Sequence, residues 1–162
     1  MPRTTLGLQS ILQAHKRIAP YLQATPLLHS PHLSDRTGAD VWLKLECQQP
    51  TGSFKVRGAL NKIGLLSPED KARGIVTGSA GNHGLGVALA AQAWGEVAAD
   101  IFVPTNAPSA KVEKLRHFDV TLHLEGDTYE AAHQAADSFA SQTGATYIQA
   151  YDELDVIAGQ GT

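Results

Sequence analysis

The spacing of apolar positions changes along the chain, and each change marks an element. Leu8, Ile11, Leu12 and Ile18 recur at helical spacing and predict an amphipathic first helix, ended by Pro20. Thr25-Pro26-Leu27 predicts an extended segment, because a proline ring pushes the preceding residue out of the helical region. Ser30-Pro31-His32-Leu33-Ser34 predicts a capped helical turn that stops at Gly38. Val41-Trp42-Leu43-Lys44-Leu45 has the β-branched and aromatic character of a strand. Ala59, Leu60, Ile63 and Leu66 form the apolar stripe of another helix. Ser67-Pro68-Glu69-Asp70 joins an N-cap, a proline at the first helical position and an acid three residues on.

From Gly74 the rhythm is strand, helix, strand, helix. Ile75-Val76-Thr77 predicts a strand, Asn82 to Trp94 a helix, and Asp100-Ile101-Phe102-Val103 a strand halted at Pro104. Ser109 is placed to cap a helix with Val112, Leu115 and Phe118 on one face. Val120-Thr121-Leu122-His123-Leu124 alternates as a half-buried strand. Asp127, with Glu130 three residues on, is placed to cap a long helix; Ala131, Ala135 and Phe139 line its inner face and Gly144 ends it. Thr146-Tyr147-Ile148 is a last strand, and a helix begins near Asp155. Alternation of this kind predicts an α/β fold with a parallel sheet and right-handed crossovers.

Composition narrows the classes. At 162 residues, with 43% hydrophobic and 18% charged positions, the chain can bury a core. A net charge of −3 gives no reason to expect nucleic acid or a membrane surface as partner. Cys47 is the single cysteine, so no intrachain disulfide forms, and it reads as a small buried hydrophobe after a strand. The first residues lack the apolar run of a signal peptide, and no stretch reaches membrane-spanning length; a cytoplasmic location is the default reading. His117 and His123 sit six apart on different elements, and no histidine spacing marks a metal site.

Two stretches carry candidate chemistry. In Pro50-Thr51-Gly52-Ser53-Phe54-Lys55-Val56-Arg57-Gly58-Ala59, Lys55 falls where a loop becomes a helix. The positive field of the helix start and desolvation would both lower its pKa, which suits a nucleophile towards an aldehyde. Taken alone, the same stretch is also a helix capped by Ser53 with a solvated lysine. Arg57 is read as solvated or ion-paired, and Gly58 as a point of close helix packing. The second stretch, Gly78-Ser79-Ala80-Gly81-Asn82-His83-Gly84, joins a strand to a helix through small residues and offers backbone N–H groups to an anion.

Together the stretches resemble the threonine/serine dehydratases, pyridoxal 5'-phosphate enzymes of fold type II. Ser53-Phe54-Lys55-Val56-Arg57-Gly58-Ala59 is similar to that family's lysine motif, and Ser79-Ala80-Gly81-Asn82-His83-Gly84 to its substrate-carboxylate loop. Asp155-Val156-Ile157-Ala158-Gly159-Gln160-Gly161-Thr162 is a third match in family order. The resemblance implies a three-layer parallel-sheet fold whose small domain is complete and whose large domain is partial. Residues 1–76 would begin the large domain, 77–147 would form the small one, and 148–162 would return to the large one.

The resemblance also implies roles. Lys55 would be the Schiff-base lysine and the base for the substrate's α-proton. Phe54 would flank the cofactor ring, and Asn82 would bond its 3′-oxygen. The loop Ser79, Ala80, Gly81, Asn82 and His83 would hold the carboxylate of an amino-acid substrate. Loss of the β-hydroxyl would yield a 2-oxo acid and ammonia. His83 is open to two readings, general acid or structural. The complete enzyme is expected to be a homo-oligomer.

Leu85 stands where members commonly carry glutamine. The family's phosphate-binding glycine loop and the partner of its pyridine nitrogen fall beyond Thr162. The chain is therefore expected to be an N-terminal portion, catalytically silent by itself. A serine racemase-like enzyme is the first alternative, which Ala80 argues against because racemising relatives place serine there. An inactive remnant or interaction module is the second.

Overall fold

The computed structural model describes residues 6–162. Helix α1 (Leu8–Ile18) buries Ala14 and Ile18 and gives way to a 3-10 turn at Ala19–Tyr21 that contains Pro20. Strand β1 (Leu27–His29), helix α2 (Pro31–Thr37) and strand β2 (Trp42–Lys44) follow. Gly38 ends α2 at φ 68°, a left-handed conformation that costs glycine little. Cys47 lies in a 3-10 turn, Glu46–Gln48, and is exposed, not buried as its place after a strand suggested. Helix α3 (Lys55–Leu65) and helix α4 (Pro68–Arg73) complete the first part. Ser67 caps α4 as predicted, accepting the Asp70 N–H at 3.0 Å.

Then come β3 (Ile75–Gly78), α5 (Asn82–Ala93), β4 (Ala99–Val103), α6 (Ser109–Leu115), β5 (Thr121–Leu124), α7 (Tyr129–Thr143), β6 (Thr146–Tyr147) and α8 (Leu154–Gln160). The four strands form one parallel sheet in the order β5-β4-β3-β6. β3 is central and buried at every position, whereas β5 is an edge and half exposed. β1 and β2 form a second, antiparallel sheet, with Leu28 opposite Leu43. Alternation of units predicts a parallel sheet only; the pairing of two three-residue strands leaves no periodic trace in the sequence.

Side-chain alternation along the strands separates the layers. Val76 and Phe102 meet Ala136 of α7 on one face. Ile101 and Val103 meet Leu85 and Ala88 of α5 and Val112 and Leu115 of α6 on the other. Beyond α5, helix α3 contributes Val56, Ala59, Leu60 and Ile63 to a core shared with Ile18, Ile75, Val87 and Ala90. α8 packs on α3 through Gly58 and Gly159; a Cβ on Gly159 would lie 2.7 Å from the Gly58 Cα.

Two caps differ from expectation. Thr128, not Asp127, caps α7, because its extended backbone lets the hydroxyl take the Ala131 N–H at 3.1 Å. The fully buried residues of α7 are Ala132 and Ala136, and of the expected inner face Ala135 and Phe139 pack partly buried against the same core. Ser109 is the first residue inside α6 and caps nothing; Pro108 holds the N-cap position. Arg57 is buried and ion-paired. Its Nε and Nη2 donate to the two carboxylate oxygens of Glu46 at 2.6 and 2.8 Å. That guanidinium, helped by the Thr25 hydroxyl, holds the Glu46 carboxyl at about 2 against burial.

Candidate active site

Lys55 opens α3, after Phe54 at the N-cap. Ser53 does not supply the helix cap; its hydroxyl lies 3.4 Å from the Lys55 N–H, a weak local contact. The start of α5 crosses the start of α3 at Gly86, where a Cβ would stand 3.1 Å from the Lys55 carbonyl carbon and the Val56 nitrogen. This close approach brings the lysine beside the Ser79–Gly84 loop, so the spacing of two glycines in a helix carries part of the site's geometry.

The Lys55 side chain reaches the loop between β6 and α8. Its Nζ donates to the Ala150 carbonyl at 2.8 Å and lies 4.2 Å from the centre of the Tyr151 ring and 5.6 Å from that of Phe54. The pKa of the amine is lowered, and burial is the cause. Of the two influences foreseen, desolvation is the one seen to lower it, with the amine turned across to another element. No carboxylate pairs with Lys55 among the described residues.

The loop after β3 sits at the carboxyl edge of the sheet, the place where open α/β sheets bind ligands. The first backbone bond of α5 is Leu85 N–H to Gly81 O, so the N–H groups of Asn82, His83 and Gly84 precede the helical ladder. The Gly81 N–H is engaged by the Ser79 hydroxyl at 3.2 Å. Above Gly81 there is room: a Cβ there would meet nothing closer than the Ser79 hydroxyl at 3.9 Å. Ser79, Ala80 and Gly81 also line a cavity of about 470 Å³ with Asn106, Lys111 and Tyr129. Asn82 is exposed, and its side-chain amide makes no hydrogen bond among the described residues.

His83 is buried beneath this loop. Its Nε2 lies 3.0 Å from the Ile148 carbonyl, which also accepts the Thr77 hydroxyl at 3.0 Å. The carbonyl acceptor fixes the proton on Nε2 and leaves Nδ1 bare, buried and unpartnered. Burial, with the nearby Lys55 charge adding, pushes the imidazole down to about 4, so it is neutral at pH 7. A neutral ring bonded to a backbone carbonyl is placed to hold the loop. Leu85 is buried and faces an apolar recess with Thr51, Gly52 and Phe118. Pattern reasoning missed Thr77, Ile148, Ala150 and Tyr151; two of them act through a carbonyl, which every residue has.

A family model described as "Pyridoxal-phosphate dependent enzyme" matches residues 18–162. The chain belongs to this family. An L-threonine ammonia-lyase of Thermotoga maritima is 44% identical over 157 residues, covering 97% of this chain and 39% of that protein. The structure of the T.th. threonine deaminase superposes with a TM-score of 0.84 at 40% identity, over 96% of this chain and 49% of that one. Maize serine racemase superposes at 0.86 with 36% identity, over 94% and 46%. The chain thus spans less than half the length of each of these three relatives.

Pyridoxal phosphate, the family's cofactor, would need an amine with a lowered pKa and an aromatic side chain close to it; Lys55, with the Phe54 ring centre 5.6 Å from its Nζ, fits those needs, and the clear space over Gly81 is left to the substrate's carboxylate. Among the described residues, no cluster of three or more His, Cys, Asp or Glu could hold a metal ion. No described helix is long and apolar enough to cross a membrane.

Proposed function

We propose that this chain supplies the N-terminal half of an L-threonine/L-serine ammonia-lyase, which eliminates the β-hydroxyl of the amino acid to give a 2-oxo acid and ammonia. The observation that carries the reading is the close α3–α5 crossing at Gly86, which sets the backbone of Lys55 beside the helix that follows the Ser79–Gly84 loop, with the desolvated Lys55 amine near enough to His83 to help lower its pKa. The 44% identity to an L-threonine ammonia-lyase supports the substrate class. Residues 1–76 and 148–162 are assigned to the large domain and 77–147 to the small one, with the site at their junction and a cytoplasmic, homo-oligomeric enzyme as the working picture.

Bound pyridoxal phosphate would supply the sink for the electron pair left at the substrate's α-carbon. The chain's own residues do the rest. Lys55 Nζ would hold the cofactor and, when free, would accept the α-proton; its lowered pKa keeps more of it neutral and ready to accept. N–H groups at the start of α5 hold the substrate carboxylate, where the helix field favours an anion. Phe54 walls the ring, and the unengaged Asn82 amide is free to donate to the ring oxygen. Neutral His83 and Thr77 fasten this loop to Ile148.

Ala80 distinguishes elimination from racemisation. Racemisation needs a second proton donor facing Lys55 across the cofactor, and a methyl group cannot exchange a proton. The test is ammonia and 2-oxo acid release by the full-length enzyme from L-threonine and L-serine, with chiral analysis of residual serine. Release of both products without D-serine supports the reading; D-serine appearing as fast as ammonia overturns it.

A further inference from the structure

Tyr151 is 70% exposed, yet its ring lies flat enough against the Lys55 amine to place Nζ 4.2 Å from its centre. The preceding residue, Ala150, accepts that amine at 2.8 Å, across 95 residues of sequence. Two neighbours on one short loop therefore hold the same nitrogen, one through a carbonyl dipole and one through a π face. Both are features that attract an ammonium more strongly than a neutral amine. The loop is fixed at its start by Ile148, which receives His83 and Thr77, and close to its end by Glu153, which pairs with Lys62.

We infer that Tyr151 is a positioning residue for Lys55: its ring face and the Ala150 carbonyl form a rest site that holds the ammonium until the lysine is called on to react. The inference rests on the assignment of Lys55 as the reactive lysine. The rest site opposes desolvation, so it sets how much of the lysine is neutral at working pH. His83 of α5 senses the Lys55 charge and is neutral at pH 7, and Tyr129 of α7 lies near enough to Tyr151 to sense its charge. On α8, Asp155 faces Lys62; on α1, Arg17 bonds Asn61. Phe54 offers a second, more distant ring at 5.6 Å, which Tyr151→Leu leaves in place.

The test measures the acid–base midpoint of Lys55 in the intact, cofactor-free polypeptide. Lysines are labelled with isotopic acetic anhydride across pH, and each peptide is quantified by mass spectrometry. The midpoint, not the maximal rate, is the readout, because changed access alters the rate alone. Tyr151→Leu keeps apolar cover and removes the π face; the Lys55 midpoint should fall by about 0.4–0.7 pH units, about a 2.5- to fivefold change in the ionisation constant. Tyr151→Phe keeps the face and should match the parent. Lys62 in the same digest should stay unchanged in both variants, which certifies that they are folded. An unmoved or raised Lys55 midpoint in Tyr151→Leu overturns the inference, as does Tyr151→Phe behaving like Tyr151→Leu. Because no cofactor or substrate is present, failure here is separate from failure of the ammonia-lyase reading, which the product assay judges.

Discussion

Gly84 lies directly beneath Ser79: a Cβ on Gly84 would stand 2.1 Å from the Ser79 carbonyl oxygen. The loop that offers its N–H groups to an anion is thus folded onto its own helix start with no room for a methyl. Gly84→Ala should force the loop open and misdirect those donors. Each charge-assisted bond lost is worth about 1.5–3 kcal/mol, so KM for the amino acid should rise tenfold or more while cofactor binding at Lys55 persists. Steady-state kinetics with a spectral check of the cofactor separates the two.

Gly159 and Gly58 should respond unequally to substitution. A Cβ on Gly159 would meet backbone, the Arg57 carbonyl oxygen at 2.5 Å. A Cβ on Gly58 would meet side chains only, the end of Gln160 at 2.5 Å, which can swing aside, and Val156 Cγ1 at 2.8 Å. Gly159→Ala should therefore cost about 1–3 kcal/mol, and Gly58→Ala less. Urea midpoints of the two variants give the comparison.

Acid should unfold the protein in two stages. The folded His83 titrates near 4, below its ordinary 6.5, so the unfolded chain takes up a proton first and stability falls from pH 6.5 towards 4. Glu46 titrates near 2 instead of 4.5, so its pairing with Arg57 is intact above 4.5 and is lost as pH falls towards 2. His83→Gln should flatten the first stage and leave the second. Glu46→Gln leaves Arg57 buried without its charge partner and should cost about 3 kcal/mol at pH 7. Denaturant midpoints from pH 8 to 3 check both.

The sequence made the central residues readable because they carry unusual chemistry in consecutive positions. Lys55 at a loop-to-helix junction and small residues from Gly78 to Gly84 each imply a backbone geometry as well as a reaction. What supports them was not readable. Ala150 acts through its carbonyl, and Tyr151 follows Lys55 by almost a hundred positions; neither contact leaves a local pattern. The misplaced cap at Asp127 has a similar origin: Asp127 and Thr128 are adjacent and both suited to cap, and only the backbone, extended at Thr128, gives that hydroxyl the Ala131 N–H. Arg57 could be read as solvated or as ion-paired, because its partner, Glu46, comes from a turn outside its own helix.

Ala80→Ser should confer some serine racemisation on the full-length enzyme while ammonia release continues, if the missing proton donor is what restricts the parent to elimination. Chiral chromatography of the remaining serine reads it directly. A variant with the hydroxyl and no D-serine contradicts that role for Ala80.

On the proposed reading, cofactor binding and proton transfer would both depend on Lys55. The most direct measurement is borohydride reduction of the full-length enzyme loaded with pyridoxal phosphate, followed by peptide mapping. One equivalent of label on the Lys55 peptide, with none retained there and no turnover in Lys55→Ala, is the predicted result. Label spread over other lysines in the parent enzyme, or turnover retained by Lys55→Ala, would contradict it.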